Sequence, residues 1–560
     1  MSRRALPILI AVLATTTGCS LPGRMMRGYA KADPRGLDLL EEGGAFAHAA
    51  PEVRGQVRFL YDDFGSLTTD GLERYGMPWK LVGGALALHR SRTTGEPLSR
   101  GTLDRALADH GFVQPHRIAN WTGPQPRLDG APMGIVTGLA QRGFPAVEVQ
   151  VANVGCATCH AGPLYDAEGR PTDEVWLGLP NASMDLSGFA DEAFQALRAE
   201  LREPDSVLVA VTRVFPEVTD RELATLRKHL IPTVREELEE RAVRYGGLIP
   251  FENGGPGLSN GVASSGFMFG ILEDDGRAHH RAFVQPPDLT ATTLRLSLLT
   301  DGVHAPPGGP RFGPMSREEV TPEHLHDLAS ITSLFVLGTQ GVSPEQARAS
   351  IPRVEEILRF VDRLESPPFP GPVDPELARK GEGLYREQCG SCHGTYTPGI
   401  ERPRLVEHPN RLVTQERMGT DRVRWEAASP ERLSVLEATG FGHITEPVAT
   451  GGYVAPDLSG VWASAPYLHN GSVPTLWHLL NPEERPERFE VGGHALDYRL
   501  MGIAGETGDD GAYRYPRGYE PWARPTLFDT REPGRSNAGH EFRNLTPDEK
   551  WALIEYMKVL

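Results

Sequence analysis

The sequence predicts a mainly α chain with little β, folded as two units with long irregular loops. Three observations carry this. A Cys-x-x-Cys-His motif occurs twice, as Cys156, Cys159, His160 in NVGCATCHAG and as Cys389, Cys392, His393 in EQCGSCHGT. Apolar residues recur at helical spacing before the second motif and at the C-terminus. Between the motifs, LESPPFPGPVDPELARKG (364–381) holds a proline cluster that cannot continue the preceding helical run IPRVEEILRFVDRL. The units are therefore 19–365 and 366–560, following an export segment at 1–18.

That segment has a positive start, Ser2-Arg3-Arg4, then the short apolar run ALPILIAVLA and a small-residue stretch, TTTGCS. The run is too short for a permanent membrane anchor. Gly18-Cys19 resembles the end of a bacterial lipobox, although Thr16 stands where lipoproteins usually have Leu. The expectation is cleavage before Cys19 and lipidation of that cysteine, giving an outer-membrane lipoprotein, periplasmic or at the cell surface, held to the membrane only through that anchor. The alternative is an ordinary secretory peptide and a soluble exported protein.

In the first unit, LSRGTLDRALADHG, DEAFQALRAEL and VTDRELATLRKHLIPTVREELEERAVRYG read as helices, and HAPPGGPRFGP (304–314) as a loop. In the second unit, Asp374 can cap a helix with Pro375 at its first position. Leu377, Gly381, Leu384 and Tyr385 form its apolar face. Thr546 and Glu549 make a capping box for a last helix, striped by Leu553, Tyr556, Met557 and Leu560. No internal repeat is evident beyond the two motifs.

The 560 residues carry a net charge of −17 without basic blocks, which argues against a nucleic-acid partner. The five cysteines are Cys19 and the four of the two motifs, so none is left for a structural disulfide.

Cys-x-x-Cys-His is read as covalent attachment of haem. Two thiols form thioethers to two vinyl groups, and the adjacent histidine is placed under the iron as proximal ligand. Zinc would want four ligands and finds too few near either motif. A thioredoxin-like redox pair would want a βαβ setting. The expected cofactors are two haems c, so the fold class becomes mainly α with two cytochrome c-like haem domains. His160 and His393 take one axial position each.

The opposite axial positions decide the function. Candidates after the second motif are His408, His443, His469, His478, His494 and His540, with Met418, Met501 and Met557. Spacing does not choose among them.

GYVAPDLSGVWASAPYLHNGSVPTLWHLL, with NAGHEF and EKWALIEYMKVL, resembles the di-haem rubber oxygenase family (rubber oxygenase A-like), a family related to MauG and the bacterial di-haem cytochrome c peroxidases. DGAPMGIVTG, VGCATCHAG and LESPPFPGPVDPELARKGEGLYREQCGSCHG fit the family's layout too, so the resemblance spans about 125–165 and 355–560. It implies that the C-terminal haem is bis-histidine and transfers electrons. The second ligand maps onto His540, with His469 as the alternative. It also implies that the N-terminal haem, above His160, is open on its distal side, with apolar aromatic walls.

The chain departs from the family between the motifs. There Phe267, Phe269 and Phe283 are candidates for a pocket, or ordinary core. His279, His280 or His304 could close the iron. Trp462 is a candidate inter-haem tryptophan, or core.

The function expected is an exported di-haem oxidoreductase that activates O2 or H2O2 at the N-terminal haem. It would be a dioxygenase of an apolar unsaturated substrate or a di-haem peroxidase drawing on an unidentified reductant. The alternative is a non-enzymatic electron-transfer cytochrome, which needs only about 100 residues per haem, a common domain size.

Overall fold

The computed structural model describes residues 29–32, 48–62, 77–128, 132–142, 147–248, 251–252, 254–268, 281–340, 342–428, 434, 440–541 and 544–560. The export segment 1–18, Cys19, Phe269, His279 and His280 lie outside the described residues.

The helices and strands that frame the sites are, in chain order, α1 (Pro51–Tyr61), α2 (Trp79–Thr94), β1 (Ile135–Arg142), β2 (Val147–Val154), β3 (Ala161–Tyr165), β4 (Pro171–Leu177), α3 (Leu186–Glu200), α4 (Pro204–Val214), α5 (Pro322–Gln340), α6 (Ile351–Val361), α7 (Pro375–Gln388), β5 (Arg488–Val491), β6 (Thr526–Asp529) and α8 (Pro547–Met557). The first motif is thus followed directly by β3, and the second is preceded directly by α7.

The mainly α expectation is corrected. Among the described residues the chain is mixed α/β, with 42% helix and 15% strand in several small sheets, and two helical cytochrome c-like domains with little β do not describe it. Much of the strand surrounds the first motif. β1 and β2 pair antiparallel in continuous register from Ile135 opposite Val154 to Arg142 opposite Val147. β3 and β4 pair antiparallel from Ala161 opposite Leu177. VEVQVANV alternates with period two and is rich in β-branched residues, the pattern of a half-buried strand. Helical periodicity elsewhere and the loop-like Gly and Pro content drew the prediction away from it.

The helices expected from periodicity form. Asp374 accepts the backbone N–H groups of Glu376 and Leu377 at 2.9 and 3.1 Å, opening α7. Thr546 and Glu549 close their capping box around the start of α8. Pro232 lies within the run 220–245, and a π-helical turn at Leu226–Leu230 separates its two α segments.

Two hydrophobic cores result. One collects residues mainly between Val57 and Leu364, together with Phe441. The other is centred on residues 385–560 but also takes in Tyr165, Leu179, Leu258 and Phe283. Each core contains a helix crossing at a glycine. A Cβ on Gly381 of α7 would stand 1.9 Å from the Ala552 carbonyl of α8, and one on Gly55 of α1 would stand 1.9 Å from the Glu356 carbonyl of α6. Only a residue without a side chain allows that approach. α7 ends at Cys389. α1 ends at Asp62, whose carbonyl lies 3.7 Å from the Cβ position of Gly155, next to Cys156. The long excursion between them leaves and returns to one place.

A repeat that the sequence reading missed joins the halves. Pro287-Asp288-Leu289 and Pro456-Asp457-Leu458 open the same backbone path. The Asp side chain accepts the N–H two residues on, Thr290 at 2.7 Å and Ser459 at 3.0 Å. Short 3-10 helices follow at Thr292–Leu294 and Val461–Ala463. Leu299 and Leu468 both have φ of 68°, and Gly302 and Gly471 have φ of 63° and 62°. Isolated bridges close the turns, Leu298 with His304 and Tyr467 with Val473. Few side chains are shared, so conformation carries the repeat.

Candidate functional site

Both Cys-x-x-Cys-His segments are single helical turns, Ala157–His160 and Gly390–His393. The first is fed by β2. Gly134, at φ 80°, lies flat against Thr158, whose hydroxyl donates to the Gly134 carbonyl at 2.9 Å. The second is fed by α7, and the Tyr385 hydroxyl donates to the Gly394 carbonyl at 3.0 Å.

The two histidines are held alike. His160 Nδ1 donates to the Pro287 carbonyl at 3.1 Å, and His393 Nδ1 donates to the Pro456 carbonyl at 2.7 Å. Each acceptor is the proline of a repeated Pro-Asp-Leu turn. A proton fixed on Nδ1 leaves the Nε2 lone pair for a metal, the usual arrangement of a ligating imidazole. Burial lowers the His160 pKa to about 4 and also lowers that of His393, so both rings are neutral at neutral pH, as ligation requires.

The four motif cysteines form no disulfide. Burial pushes the Cys156 thiol up to about 12, Cys159 to about 11 and Cys389 to about 12. A reactive redox thiolate needs the opposite shift. Among the described residues, no group of three His, Cys, Asp or Glu side chains gathers as a metal cluster.

His540 is brought to His393. Their ring centres stand 6.1 Å apart with planes at 74°. Two imidazoles bonded to one metal through nitrogens ~2 Å away, with ring centres ~1 Å farther out, stand ~6 Å apart. Burial and the neighbouring His393 lower the His540 pKa to about 3. His469 is elsewhere, stacked on Tyr453 with ring centres 4.2 Å apart. Its Nε2 is buried without a hydrogen-bond partner, and burial lowers its pKa to about 3. The donor set and its spacing fit c-type haem.

Residues 452–490 match the family described as RoxA-like, cytochrome c-like. The match shows a cytochrome c-like segment, the setting of a covalently bound haem c. The RoxA-like segment holds Pro456, the acceptor for His393, together with Tyr453, Trp462, His469 and Arg485. The chain is also 31% identical over 242 residues to uncharacterized protein y4iM of Sinorhizobium fredii, covering 36% of this chain and 52% of that one. A second relative from the same organism, uncharacterized protein y4iJ, is 28% identical over 250 residues, covering 34% and 40%. The aligned region thus spans about half of y4iM's length and less of y4iJ's.

Several other candidates make packing or hydrogen-bond contacts away from the two motif histidines. Trp462 is buried, donates to the Pro367 carbonyl at 3.1 Å and packs on Phe369 and Tyr498. Phe267 packs with Tyr245 and Phe251 in the first core, whereas Phe283 lies under Arg535 in the second, so the two do not line one pocket. His304 bonds Thr445 through Nδ1 and faces Phe335. His408 bonds the Ala455 carbonyl and His478 the Thr475 hydroxyl. Met418 meets the His540 backbone through its carbonyl.

The sequence reading missed the two proline acceptors and Arg485. The duplicated Pro-Asp-Leu was the signal for the prolines.

Proposed function

We propose an exported di-haem c-type cytochrome oxidoreductase related to the rubber oxygenases, MauG and the di-haem peroxidases, with one haem at each motif and the domain boundary near 365. The N-terminal site takes O2 or H2O2, and the C-terminal site transfers electrons. One asymmetry carries the proposal. Both proximal histidines are anchored alike, yet among the described residues a second histidine ring faces only His393.

When bound, haem supplies a redox-active iron, and whether its second axial side is filled separates electron transfer from reaction with a small oxidant. The chain's residues set that difference. His160, locked by Pro287, offers one ligand. His393 and His540 offer two. Desolvation of all three rings keeps them neutral.

The test is the visible spectrum of the dithionite-reduced full chain with and without carbon monoxide, beside a haem count. Two haems per chain, one shifting with carbon monoxide, is the expected result. If neither shifts, the enzyme proposal fails and the electron carrier replaces it. Oxygen uptake with unsaturated hydrocarbons, in which both oxygen atoms enter the cleaved C=C as carbonyls, then separates a dioxygenase from a peroxidase, which reduces peroxide to water with two donor electrons. The mass of the mature N-terminus tests export and lipidation at Cys19.

A further inference from the structure

His540 sits in an unfavourable backbone conformation that something must hold. Its φ is 52°, in the left-handed region that non-glycine residues seldom adopt, and Gly539 before it has φ of 81°. The turn is pressed close to the 418–420 segment. A Cβ on Gly539 would stand 2.4 Å from both the Met418 carbonyl oxygen and the Thr420 nitrogen, and the His540 N–H donates to the Met418 carbonyl at 3.1 Å.

Across the turn lies Arg485, half-buried after the helix Leu476–Leu480. Nε donates to the His478 carbonyl at 3.1 Å. Nη2 donates to the Leu479 carbonyl at 2.8 Å and the His540 carbonyl at 3.3 Å. Nη1 donates to the Gly539 carbonyl at 2.8 Å and to the Asn537 carbonyl. A guanidinium has five N–H donors in a fixed planar fork, and here all five go to main-chain carbonyls, two on the helix end and three on the 537–540 turn. Among the described residues no carboxylate makes an ion pair with it. A guanidinium whose donors all go to carbonyls acts as a clamp on backbone shape, and a lysine, with three donors on a flexible stem, cannot reproduce it.

We propose that Arg485 is the positioning residue for His540: its guanidinium ties the 537–540 turn to the Leu476–Leu480 helix and so keeps the His540 imidazole facing His393. The inference rests on the reading that these two rings share one haem iron.

The test compares full-length, haem-loaded Arg485→Gln, Arg485→Lys and His540→Ala with the parent. The readouts are covalent haem content, the low-spin spectrum and the number of reduced haems per chain that bind carbon monoxide. Each variant should raise that number by one with haem content unchanged, and free imidazole should restore the low-spin spectrum. General destabilisation would lower the melting temperature without opening an axial position or answering to imidazole. If His540→Ala opens a haem and both Arg485 variants keep the parent spectrum, the positioning role is overturned alone. If His540→Ala changes nothing, the ligand reading fails and this inference with it. Should Arg485→Gln not accumulate, Arg485→Lys decides, since it keeps charge and near-equal length but not the five-point clamp.

Discussion

His393 and His540 stand with ring centres 6.1 Å apart and planes at 74°, the separation of two imidazoles that share one metal. His160 shares the proximal anchoring of His393 but has no such partner among the described residues. On the proposed function, replacing His160 with Ala should abolish the reaction with a small oxidant while a low-spin spectrum from the C-terminal site persists. Replacing His393 with Ala should remove that spectrum. Visible spectra of the two variants check the division. Identical losses in both would show that the sites do not divide the work.

The glycine crossings give a stability prediction. Gly381→Ala places a methyl against the Ala552 carbonyl, and Gly55→Ala places one against Glu356. Overpacking of this kind typically costs about 1–3 kcal/mol. Each should lower a calorimetric transition, and if the two cores unfold separately the two variants lower different ones. Unchanged melting would mean that the helices slide apart without cost.

Acid stability follows from the buried neutral histidines. Burial lowers His304 to about 3, and His408, His478 and His494 to about 4, against about 6.5 in an unfolded chain. Between those values the unfolded chain holds more protons than the folded one. Stability should therefore be level above about pH 6.5 and fall as pH drops toward 4, by up to ~1.4 kcal/mol per pH unit for each such histidine. Denaturant midpoints across pH 4–8 test this. His304→Gln should reduce the slope by one proton.

Trp462 is tested by Trp462→Phe. Losing the indole bond to the Pro367 carbonyl should cost about 1 kcal/mol. On the proposed two-haem reading, electron exchange between the sites, followed by stopped-flow reduction, should not change. A slowed exchange with unchanged melting would reverse the core assignment and restore an inter-haem role.

The sequence by itself determined the attachment chemistry. Two thiols two residues apart and a histidine next to the second satisfy covalent haem geometry within five residues, so no tertiary information is needed. It also determined α7 and α8, because Asp374, Thr546 and Glu549 cap locally. Only the tertiary structure decided the rest. The strands around Cys156 pair with partners distant in sequence, such as Met77 with Ala152, and periodicity in one segment does not reveal the other. The Pro287 and Pro456 carbonyls are backbone atoms far in sequence from the histidines they orient, so the duplicated Pro-Asp-Leu marks the two turns as alike but does not show which ring each receives. His540 was distinguished from His469 by resemblance, then by placement: two residues of the same type differ here in which ring they face. Arg485 left no sequence signal, because its five partners are main-chain carbonyls whose positions exist only once the chain has folded.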